Sequence, residues 1–185
     1  MEALDALLNR VSLARLQAPA PDAAQREVLF RAALRAPDHG YLRPWRFLTI
    51  EGEGREKLGE LFVSAVLAKD AQASEAATTK ARNMPLRAPL MVVVIATLQA
   101  GHKVPEVEQL LSAGCAAHGM LLAAHALGLG AIWRTGEMAY DRTVATGLGL
   151  AENERVVGFL YLGSVEGERR APPELASADF VQAWG

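Results

Sequence analysis

The chain has 185 residues, 51% of them hydrophobic, which is enough for one sizeable core and too many for a disordered chain. Its 19 Lys and Arg against 21 Asp and Glu give a net charge of −2, excluding a polyanion binder that works through an overall basic surface. A single cysteine, Cys115, excludes an internal disulfide framework and a Cys-rich zinc site. The acidic, amphipathic start lacks the charged-then-apolar pattern of a signal peptide, so a cytoplasmic protein is expected.

In chain order, EALDALLN (2–9) has leucines at the spacing of a short amphipathic helix. Residues 10–16 carry few helix signals and run into Pro19. A second helix is predicted with Pro21 in its first turn, an apolar face of Val28, Leu29, Ala32 and Ala33, and a stop before Pro37. The turn-rich loop APDHGYLRP follows, then a strand, WRFLTIE (45–51), with Phe47 and Thr49 on one side and Leu48 and Ile50 on the other. Residues 55–82 read as one or two helices. LMVVVIAT (90–97) is a continuous β-branched run, the pattern of a strand buried on both faces. A long helix from about 106 to 127 ends at Gly128, AIWRT forms a short strand, 140–148 a short helix, and RVVGFLYLG (155–163) a last strand. The final twenty-odd residues, with Arg169, Arg170, Pro172 and Pro173, look like an arm that needs a surface to lie on. The order predicts one domain, 1–185, with an α+β or α/β sandwich around four or five strands.

The segment from Leu110 to Trp133 is apolar enough in length to span a bilayer. Its two histidines, four glycines and serine favour instead a central helix buried on all sides. GLGAIW (128–133) begins like a dinucleotide-binding glycine motif, but Trp133 replaces the third glycine and the segment joins helix to strand, the reverse of that motif. His118 and His125 share one helical face but lie two turns apart, too far to share a metal. Cys115, one turn from His118, could form a hydrolase pair. Its mid-helix, apolar setting argues against a reactive thiolate.

Arg10-Val11-Ser12 is more informative. In an extended chain Arg10 and Ser12 point the same way, and a guanidinium beside a hydroxyl suits a phosphate. The plainer alternative is a helix-terminal arginine and a helix-capping serine. Arg35 ends the second helix, where the helix dipole alone would favour it. Asp38, His39, Tyr41, Arg43 and Trp45 crowd the next loop, and Trp133-Arg134-Thr135-Gly136 repeats that chemistry at a strand end. Such clusters, without a metal set or a nucleophile, suggest a cofactor with a phosphate and an aromatic ring.

Together, R-x-S near the start, RAPDHGYLRPWRF, IEGEGREKL, and GLGAIWRTG before GFLYLG resemble the FMN-dependent nitroreductase family, closest to its small single-domain branch. The resemblance covers nearly the whole chain. It implies a homodimer, a mainly antiparallel central sheet flanked by helices, two FMN sites at the subunit interface, and a C-terminal arm exchanged between subunits. It also implies that Arg10, Val11 and Ser12 hold the FMN phosphate, that Arg35 and His39 reach the flavin held mainly by the partner, and that Trp133, Arg134 and Thr135 line the ring. Residues 123–128 would lie near the nicotinamide nucleotide.

The implied activity is hydride uptake from NADH or NADPH and delivery to a nitroaromatic, quinone or similar small acceptor by a ping-pong mechanism. No nucleic acid, membrane or metal is implied. Two departures stand out: Ala14 where many relatives have Lys or Arg, and Tyr41-Leu42-Arg43-Pro44-Trp45 where Asn-x-Gln-Pro-Trp is usual. The rival readings are a flavin enzyme of the same fold with another reductive outcome, and a non-catalytic flavin-binding dimer.

Overall fold

A computed structural model describes residues 1–185. Five strands form an antiparallel sheet: β1 (Leu16–Gln17), β2 (Trp45–Glu51), β3 (Leu90–Thr97), β4 (Gly130–Arg134) and β5 (Glu154–Val165). β3 lies between β2 and β5, and β5 also pairs with β4 and, at its end, with β1. Six α-helices flank the sheet: α1 (Ala3–Asn9), α2 (Ala23–Ala33), α3 (Glu53–Lys69), α4 (Glu75–Asn83), α5 (Glu106–Ala126) and α6 (Arg142–Gly147). This is the expected α+β sandwich, with the 55–82 region resolved as two helices.

The alternation of β3 builds the core. Leu90, Val92 and Val94 face α2 and α5, where Leu29, Ala33, Ala117 and Met120 complete one cluster. Met91, Val93 and Ile95 face the opposite layer, with Leu58, Phe62, Ala81 and Val144 from α3, α4 and α6. Burying each such side chain contributes about 1.5–3 kcal/mol, which explains the continuous apolar run. At one end of the sheet Glu154 is buried and accepts two hydrogen bonds of 2.6 Å from Arg46, one from Thr97 Oγ1 at 3.2 Å and one from Ala151 N at 3.0 Å. The Arg46 bonds lead in holding its carboxyl pKa down to about 2.

Three local expectations change. α2 starts after Asp22, whose carboxylate caps Gln25 N at 2.8 Å, so Pro21 precedes the helix rather than filling its first turn. Val28 is exposed, because the face packed on α5 runs through Leu29 and Ala33. α5 is not buried on all sides: Gln109, Ala113, Ala116 and Met120 face inward, while Val107, Leu111, Cys115 and His118 form an open stripe. No helix is long and apolar enough to cross a membrane.

Candidate active site

The candidate residues fall into three groups, and the sheet and α5 decide which of them meet. The first group lies at the C-terminal end of α5. Residues 10–15 form neither helix nor strand; Arg10 has extended backbone, and Leu13 N donates to Ala131 O at 3.0 Å, which lays the segment against the open edge of β4. Arg10 directly follows α1, and Ser12 caps no helix. Arg170 donates to Ser12 O at 3.3 Å, while Arg169 donates to His125 Nδ1 at 2.9 Å and to Leu129 O at 3.3 Å. Arg10, Arg169 and Arg170 have no carboxylate within ion-pairing distance.

His125 reports the charge of this corner. Burial lowers its pKa first, and the positive charges of Arg169 and Arg10 lower it further. Since arginine only donates, Nδ1 is the acceptor and the ring proton sits on Nε2, a buried atom with no partner in the chain. His118 and His125 therefore differ in surroundings despite sharing a face: the arm covers His125 and leaves His118 exposed. Cys115 is exposed on the open stripe, not in the apolar setting its neighbours suggest. No cluster of three His, Cys, Asp or Glu is placed to hold a metal.

The second group is the end of β4. Trp133 turns away from the open edge. Its Nε1 donates to Val157 O at 3.2 Å, and its indole fills the space where a Cβ on Gly158 would collide with it. The indole is half-buried, and the Trp133 backbone stays free at the open edge. Arg134 projects to the opposite face, 5.9 Å above the Tyr161 ring, and its Nε is buried without a partner. β4 pairs with β5 along one edge only, so beyond Ala131 its other edge has no partner strand. Arg134 and Thr135 open into a cavity of about 480 Å³ between α3, α4 and the sheet.

The third group is Arg35 and His39. Arg35 lies just past the C-cap of α2, Leu34, and is exposed. His39 donates from Nδ1 to Glu108 Oε2 at 2.7 Å, at the N-terminal end of α5. Glu108 and His125 are 17 residues apart on one helix, about 25 Å at 1.5 Å per residue. One chain therefore does not bring His39 to the corner that holds Arg10.

Sequence reasoning missed Arg169 as the arm's anchor on His125 and missed Lys80 and Arg87, which line the cavity with Arg134. Gly158 inside a strand was a legible signal of a close approach, here by Trp133.

An antiparallel sheet between two helical layers defines an α+β sandwich. The chain belongs to the nitroreductase family, an oxidoreductase family whose sequence profile matches residues 7–164. It is 46% identical over 164 residues to "Putative NAD(P)H nitroreductase YdjA" of Escherichia coli K12, covering 89% of this chain and 88% of that one. Among solved structures, a nitroreductase-like family protein from Bacillus cereus superposes with a TM-score of 0.85 at 21% identity, over 100% of this chain and 96% of the other. A variant of NfnB, an FMN and NADPH-dependent nitroreductase from Sphigopyxis sp. strain HMH, superposes at 0.78 with 18% identity over 100% of both chains.

Proposed function

We propose that this chain is a single-domain, cytoplasmic FMN oxidoreductase that works as a homodimer. It takes a hydride from NADH or NADPH and reduces a nitroaromatic, quinone or similar small acceptor in a ping-pong cycle. The observation that carries the reading is the unpaired cationic corner of Arg10, Arg169 and Arg170 around Ser12, continuous with the unpartnered edge of β4. A phosphate answers the first feature and the polar edge of a flavin the second, so the residues fit FMN, the cofactor in the printed description of NfnB.

In this reading Arg10 and Ser12 hold the phosphate, with Val11 contributing backbone, and Trp133, Arg134 and Thr135 present backbone groups to the ring. Bound there, FMN supplies the electron-carrying chemistry between nicotinamide and acceptor. Residues 123–128, at the same end of α5, border the nicotinamide nucleotide. Arg35, just past the end of α2, and His39, at the Glu108 end of α5, serve the site held mainly by the other subunit. Two features support the dimer: the open stripe of α5, and an arm whose Leu175, Phe180, Val181 and Trp184 are exposed.

The test is the visible spectrum of the purified protein, taken anaerobically with and without NADH or NADPH. Flavin bands that bleach with either reductant are expected. Bands that persist with both would leave a flavin-binding dimer without turnover, and a colourless protein that takes up no added FMN would overturn the reading.

A further inference from the structure

Lys80, Arg87 and Arg134 come from α4, the turn after it and β4, and all three line the 480 Å³ cavity under α3 and α4. None has a carboxylate within ion-pairing distance. The one carboxylate in the lining, Glu137, is already bound to Lys69 Nζ at 2.7 Å. Arg134 keeps a buried Nε without an acceptor. By contrast Arg26, Arg46 and Arg82 each hold a carboxylate, so the chain has glutamates for pairing and places none free in this cavity. The other walls are apolar: half-buried Val66, Met84 and Met138, with Phe62 and Phe159 sealed behind them, edge to face at 5.5 Å. The volume suits one substituted aromatic ring. Thr135, a proposed flavin contact, sits on its rim.

We infer that this cavity is the acceptor site and that it selects aromatic acceptors carrying a carboxylate, the ring against Met84 and Met138 and the carboxylate toward Arg87, Lys80 and Arg134. The inference rests on the oxidoreductase reading above and adds the acceptor's charge. A carboxylate in this setting gains charge-assisted hydrogen bonds that its neutral amide lacks, worth about tenfold or more in affinity. The preference weakens as salt rises.

The experiment compares 4-nitrobenzoate with 4-nitrobenzamide on the FMN-loaded protein, by calorimetric titration without reductant and by kcat/KM with NADPH. At least a tenfold preference for the carboxylate is expected in both. Arg87→Gln and Lys80→Gln should each cut that ratio several-fold while the protein retains its FMN. Equal handling of the two acceptors by an active enzyme overturns the inference. So does loss of FMN, rather than of discrimination, in Arg87→Gln, which would make the cavity part of the flavin site. A protein that takes up no FMN overturns the oxidoreductase reading instead. Benzoate, titrated into that flavin-free protein and followed by the amide signals of Arg87 and Arg134, then decides the cavity separately: no shift there would overturn its anion preference.

Discussion

β3 and the last twenty residues are both supplied with large apolar side chains, yet only β3 finds partners for them within the chain. Leu90 to Ala96 are all buried between two helical layers, whereas Trp184 in the arm is fully exposed and Phe180 and Val181 are exposed too. The stripe of Val107, Leu111, Cys115 and His118 on α5 belongs with the arm: its inward neighbours are sealed and it is not. The chain thus completes its sheet alone and leaves the α5 stripe and the arm uncovered, the two surfaces that the proposed dimer would use. That division separates substitutions that damage the fold from those that damage assembly.

The largest effect is expected in the sealed region. Leu160→Ala empties space between β5 and the α2–α5 layer and should cost about 2–5 kcal/mol, read as a lower denaturation midpoint. Glu154→Gln comes next, with about 2–3 kcal/mol lost at neutral pH, because the Arg46 guanidinium loses its carboxylate. Its pH dependence has a definite sign. The folded carboxyl sits at about 2, below the ordinary carboxylate range, so its contribution is complete above that range and disappears as pH falls through it toward about 2. Glu154→Gln should flatten the acid limb of the stability curve, and unfolding series between neutral and acid pH check this.

At the boundary, Arg10→Ala should weaken FMN by about 2 kcal/mol with little change in the denaturation midpoint. Unchanged FMN retention on a desalting column would remove Arg10 from the phosphate site. The smallest effect on stability, within about 0.5 kcal/mol for the monomer, is expected of Leu111→Ser, an exposed position on α5. Sedimentation should show it shifting the protein toward monomer, and an intact dimer would place the subunit contact elsewhere.

Strand β3 was legible because burial on both faces leaves an unbroken apolar run, and the ends of β2 and α5 because Pro44 and Gly128 punctuate them. What escaped depends on contacts between distant residues. His125 meets Arg169 across 44 positions, and the cavity's three cations come from separate elements that no local pattern connects. The stripe on α5 escaped for another reason: a helix with one apolar stripe left uncovered carries the same composition as one covered on all sides.

β5 pairs with β1, β3 and β4, and neither β1 nor β4 pairs with any other strand. The sheet is therefore closed by the last strand to be made. During synthesis β2 and β3 can pair early, while β1 and β4 wait until residues 154–165 have left the ribosome. Until then the β3 edge that β5 will cover is an unpaired, apolar template. A chain that ended before residue 154 would leave β1, β4 and one edge of β3 without the strand that pairs them.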